Sequence, residues 1–184
     1  MFLAGVSLVL AHGGQFRPKA FIRRLAIIAA AALAVTVTTL LVFPGTFVFF
    51  GILHSIAVAS VIGIAFLYAP VVVSLLTGLM ILALPWVVSS PMFDTRWMAW
   101  IGFSASAPQS NDLVPVFPWA GLTLLGIAFA RSFYLRDTRP ATKLTAAEYR
   151  SVPWLTWMGR HSLAIYLIHQ PAMLAVIVPL SRLF

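Results

Sequence analysis

Long apolar runs, broken by short polar or basic stretches, set the pattern of this chain. Five of them occupy Leu25–Phe43, Phe47–Ala69, Val71–Ser89, Val116–Tyr134 and Trp154–Leu180. A helix needs about 20 mostly apolar residues to cross the hydrocarbon core of a bilayer, so each run predicts a full span. The short alternating segments of a transmembrane barrel would look different. A sixth run, Met1–Ala11, reaches about half-way across at the helical rise. The expected fold class is therefore all-α: a polytopic transmembrane helix bundle, five full spans plus one partial N-terminal span, in a single domain over residues 1–184.

The first run has three readings. It is a signal-peptide core, although no basic residue precedes it; a re-entrant piece; or the tail of a helix that begins upstream. The third is the expectation adopted.

Composition agrees with the pattern. Hydrophobic residues make up 61% of the 184 and charged residues 9%, against about 25% charged in soluble domains. The mean hydropathy is +1.00. With no cysteine, disulfides, thiolate catalysis and thiolate metal sites are excluded.

The net charge of +8 raises the question of a nucleic-acid partner, and its distribution argues for none. Arg17, Lys19, Arg23 and Arg24 stand in one loop. Arg131, Arg136, Arg139, Lys143 and Arg150 stand around another, with Arg160 at the start of the last span. An alternating path brings both clusters to one side, which the positive-inside rule makes cytoplasmic. The expected location is the cell (inner) membrane, with basic loops 12–24 and 135–153 cytoplasmic and loop 90–115 external. Membrane lipids are the expected surroundings, and a homodimer is left open.

Ionisable groups inside a membrane are costly and usually face a cavity or a partner helix. The last span carries GRHSLAIYLIHQP, Gly159–Pro171. At about 100° per residue, with His161 at 0°, His169 falls at about 80°, Ser162 at about 100°, Tyr166 at about 140° and Gln170 at about 180°. Leu163, Ala164, Leu167, Ile168 and Pro171 take the other half of the wheel. One reading is a lined cavity or reaction path; the other is a set of hydrogen bonds that locks helices together. His169 lies about 12 Å deeper than His161 along the axis, which makes it the stronger functional candidate. His54, in GILHS, is a second intramembrane histidine, either functional or satisfied by local partners. No carboxylate lies within a span, and no set of three metal ligands is evident, so no metal is expected.

The external stretch Ser90–Pro115 is long beside the about 2–8 residues of common helix connections. Trp97 and Trp100 suit an interfacial aromatic belt. Gln109, Ser110, Asn111 and Asp112 form a polar set between prolines, with Trp119 at the next helix start. This is a candidate rim for a hydrophilic substrate such as a sugar.

Several strings together resemble one family: FLAGVSLVLA, FFGILHSIAVAS, SSPMFD, SNDLVPVFPWAGLTLLGIAFAR and GRHSLAIYLIHQP. They resemble the bacterial members of the heparan-alpha-glucosaminide N-acetyltransferase catalytic-domain family, over nearly the whole chain. The resemblance implies transfer of an acetyl group from cytoplasmic acetyl-CoA, the donor substrate, across the membrane to an amino sugar or glycan. It implies that His169, in a Tyr-x-x-His pattern, belongs to the catalytic machinery, with His54 as the second catalytic candidate. Arg160 and His161 are the residues expected to meet acetyl-CoA. Asn111, Asp112, Trp119, Tyr166 and Gln170 are those expected to meet the acceptor. The family's opening helix, with an Asp-x-x-Arg-Gly motif and a following catalytic histidine, has no counterpart here, and this chain alone is expected to be inactive. Two rival readings remain at this level: a small transporter or flippase, and a non-catalytic membrane protein.

Overall fold

A computed structural model describes residues 1–136, 157, 161 and 163–168. The chain forms two compact units, Met1–Arg136 and Asp137–Phe184. Among the described residues all regular structure is helical, apart from two isolated bridges, Phe50 with Leu113 and Ser90 with Ser104.

The first unit contains α1 (Phe2–His12), α2 (Pro18–Val42), α3 (Ile52–Phe66), α4 (Val71–Val87) and α5 (Val116–Arg136). A short 3-10 turn, Pro91–Phe93, follows α4. Local chemistry sets these boundaries. Proline opens α2 at its first position, where the missing N–H costs nothing. Pro70 caps α4 and disfavours helical geometry in the residue before it.

Among the described residues, two helices are long and apolar enough to cross a membrane: Pro18–Val42 and the Val116–Phe133 part of α5. The expected span Phe47–Ala69 is helical only over Ile52–Phe66, and Val71–Ser89 only over Val71–Val87. With 15 and 17 residues they rise about 22 and 26 Å, against a core of about 30 Å. Extended pairing shortens α3. The backbone of Thr46–Phe50 is bonded to the loop between α4 and α5, through Asn111 N–H to Thr46 C=O (2.8 Å) and Val114 N–H to Phe50 C=O (3.1 Å). The β-favouring run Phe47–Phe50 suits such extended geometry.

Helix α5 is the hub. It packs on α1, α3 and α4, while α2 leans on α3. Val9, Leu67, Leu124, Ile127 and Ala130 form one core cluster, and Ala59, Val116 and Ala120 a second. Glycines let the backbones touch. A Cβ at Gly121 would meet the Gly78 carbonyl at 2.6 Å, and one at Gly5 or Gly126 would overlap the carbonyl of Thr123 or Phe2. Small residues serve helix contact in lipid this way, because apolar surface gains nothing by leaving an apolar solvent. The outer side of α2 is bare: Leu33, Val37, Leu40 and Leu41 are all exposed.

Candidate functional site

At the N-terminus of α3, four separated pieces of sequence converge. Gly51 caps the helix and His54 is its third residue. The Gly51 N–H donates to His54 Nδ1 at 3.2 Å. A backbone N–H only donates, so Nδ1 holds a lone pair, and the proton of the neutral ring sits on Nε2. Thr36, from α2, donates its hydroxyl to the Val48 carbonyl at 2.7 Å. Its oxygen is therefore the acceptor facing His54 Nε2, at a weak 3.4 Å. Both nitrogens of the ring are thus engaged. His54 was expected to be catalytic, and it stands here in the place that Glu or Gln takes in a capping box.

Asp112 completes the turn. Its Oδ2 accepts the Ile52 N–H at 3.0 Å, so a carboxylate sits at the positive end of α3. Gly51 makes room for it: a Cβ there would fall within overlap distance of Asp112 Oδ2 and 2.8 Å from Val48 Cγ1. The Ser110 hydroxyl lies 3.0 Å from the Phe47 carbonyl and 3.2 Å from that of Asp112, and donates to them. Phe50 stands between the His54 and Trp100 rings, 5.5 Å from each.

The structure thus brings Asp112 and His54 to one helix turn. Asn111 is held by its backbone with its residue exposed. Trp119, on the first turns of α5, is exposed; the ring beside Phe50 belongs to Trp100. Thr36 was missed by sequence reasoning. Its only signal was a hydroxyl within the apolar stretch VTVTT.

A second polar cluster lies at the opposite end of the first unit. His12 ends α1 and is 4% exposed. The Arg17 N–H donates to its Nδ1 at 3.4 Å, and its carbonyl accepts from Tyr68 Oη at 3.0 Å. The Phe16 ring packs against it tilted and the Phe21 ring edge-on. Burial, then the charges of Arg24 and Arg17, hold the imidazole below its ordinary pKa. Arg24 donates to Ser7 Oγ at 3.0 Å, and Ser7 in turn donates to the Ala4 carbonyl. Sequence reasoning gave His12 no role. Its spacing from Phe16, Arg17 and Phe21 was the available signal.

In the second unit, Trp157 and His161 stack at 4.6 Å. His161 is exposed and its Nδ1 lies 2.9 Å from the Trp157 carbonyl, to which it donates. Helical hydrogen bonds run from the His161 N–H to Trp157 and from the Ile165 N–H to His161. Tyr166 is half-buried, whereas Ala164 and Ile168 are exposed. Arg160, Ser162, His169 and Gln170 lie outside the described residues. Among the described residues no three His, Asp or Glu side chains converge as metal ligands.

The family described as heparan-alpha-glucosaminide N-acetyltransferase, catalytic, matches residues 1–171. No curated protein and no solved structure matches the chain.

Proposed function

The chain belongs to the heparan-alpha-glucosaminide N-acetyltransferase catalytic family, and from that membership we propose that it is a multi-pass membrane acetyltransferase. It takes the acetyl group of cytoplasmic acetyl-CoA and passes it to the amine of an amino sugar or glycan on the external side. The observation that carries this reading is the family match, which runs over residues 1–171.

The chemistry is aminolysis of a thioester. The acceptor nitrogen attacks the acetyl carbonyl, a C–N bond forms and the C–S bond breaks. Sulfur leaves as the CoA thiolate and is balanced by the proton the amine gives up. A general base that takes this proton raises the rate, and His169 is assigned that task. Arg160, His161 and the basic clusters receive the phosphates of acetyl-CoA. Asn111, Asp112 and Trp119 receive the acceptor; a carboxylate such as Asp112 suits the N–H groups of an amine. The exposed apolar side of α2 is in contact with lipid in the cell membrane.

Donor binding is tested on protein expressed from its full reading frame and reconstituted in liposomes. Acetyl-CoA at 100 times its Kd is expected to stabilise the fold by about 2.7 kcal/mol. Arg160→Gln is expected to weaken binding with the apo Tm unchanged. Absence of any stabilisation by acetyl-CoA or CoA would contradict the reading.

A further inference from the structure

We propose that His54 is a positioning residue. Its neutral imidazole fixes the first turn of α3 against Thr36 and thereby holds the Asp112 carboxylate at the external mouth, where the acceptor amine is received. This rests on the acetyl-transfer reading for the acceptor, and on geometry alone for the positioning.

The ring is committed in both directions. Its lone pair goes to the Gly51 N–H (3.2 Å) and its Nε2 proton faces Thr36 Oγ1 (3.4 Å). Thr36 is not free to turn its hydroxyl round, because that proton is given to the Val48 carbonyl at 2.7 Å. A general base needs a lone pair within reach of the reacting group, and here a main-chain amide occupies it. The next amide along the turn, Ile52 N–H, is bound by Asp112 at 3.0 Å. The loop carrying Asp112 is registered on the same segment by Asn111 N–H to Thr46 and Val114 N–H to Phe50. One turn of helix therefore ties α2, the α2–α3 link and the external loop together. The carboxylate fills the space that a Cβ at Gly51 would take, so the position of Gly51 and that of Asp112 are set together.

Glutamine makes the test specific. Its side-chain oxygen accepts and its NH2 donates, so His54→Gln keeps both bonds and removes acid–base chemistry. The full-reading-frame protein is reconstituted with glucosamine as acceptor, and kcat, acceptor KM and Tm are measured for wild type, His54→Gln and His54→Ala. His54→Gln is expected to stay within about threefold of wild type in kcat and KM. His54→Ala is expected to raise acceptor KM by about tenfold or more, with a smaller effect on kcat. Its Tm is expected to fall by about 2–4 °C, and His54→Gln restores it. A His54→Gln variant that keeps its Tm and loses kcat as completely as His54→Ala overturns the proposal.

If the wild type transfers no acetyl group, it is the acetyltransferase reading that fails. Positioning is then judged by Tm and by 15N NMR of the imidazole. A neutral Nε2–H ring, with the His54→Ala loss of Tm repaired by Gln, supports it. An Nδ1–H ring, or a His54→Ala protein as stable as wild type, overturns it.

Discussion

The carboxylate of Asp112 accepts the backbone N–H of Ile52 at 3.0 Å, across 60 positions of sequence. A loop that reads as a free polar rim is by this bond part of a helix N-terminus. The stability of α3 and the shape of the loop that carries Asp112 are therefore one problem.

Removing that cap has a direct cost. Asp112→Ala is expected to destabilise the protein by about 0.5–2 kcal/mol, as other N-cap losses do. Asp112→Asn keeps the acceptor oxygen and loses the charge, so its loss is smaller. Thermal unfolding in detergent separates the two. Equal stability of Asp112→Ala and wild type would contradict the capping role.

Gly51→Ala tests the same contact by crowding it. The added methyl overlaps Asp112 Oδ2 and presses on Val48, so the loop around Asn111 is expected to leave the Thr46–Phe50 segment. Limited proteolysis in detergent is expected to cut between Ser106 and Pro115 faster in Gly51→Ala than in wild type. An unchanged cleavage rate would mean that the loop is held by other bonds.

At the centre of the bundle, Gly121→Val is expected to push α4 from α5, because a Cβ at 121 already meets the Gly78 carbonyl at 2.6 Å. Overpacking of this kind costs about 1–3 kcal/mol. Gly45→Val, where open space surrounds the turn, is the control. The comparison of their unfolding midpoints checks it, and equal midpoints would contradict the close packing.

His12 gives a pH dependence of defined sign. Its pKa in the fold is held below the ordinary 6.5 by burial, then by Arg24 and Arg17. The unfolded chain therefore binds this proton first, and stability falls as pH drops below about 6.5. The loss stops growing once pH is below the folded value. Unfolding between about pH 5 and pH 7.5 is expected to show this slope, with a reduced slope in His12→Gln. A variant with the same slope would place the titration elsewhere.

The apolar periodicity exposed all-helical character, the order of the elements and the two long helices, because a span of lipid demands an unbroken apolar run. It overstated α3, because Phe47–Phe50 is as apolar as a helix and its extended pairing depends on a loop 60 residues away. The polar set around Asp112 was legible as a polar cluster. That its carboxylate meets the turn bearing His54 was not, since no local pattern records a long-range cap. Thr36 was silent for the same reason: a threonine in an apolar helix usually bonds its own backbone, as Thr39 does to Val35. His12 drew no reading because it falls in the stretch 12–24 expected to be a loop, and here it ends α1 with the Phe16 and Phe21 rings against it. The expected polar stripe of the last span reaches the described residues only at His161 and Tyr166.

The central claim is sided acetyl transfer. Full-reading-frame protein is sealed in liposomes with its basic loops outward, glucosamine inside, and radiolabelled acetyl-CoA added only outside. The expected result is labelled N-acetylglucosamine accumulating inside, abolished by His169→Ala and retained in His54→Gln. Intact acetyl-CoA outside together with unmodified glucosamine inside, in vesicles shown to hold folded protein, would contradict the account.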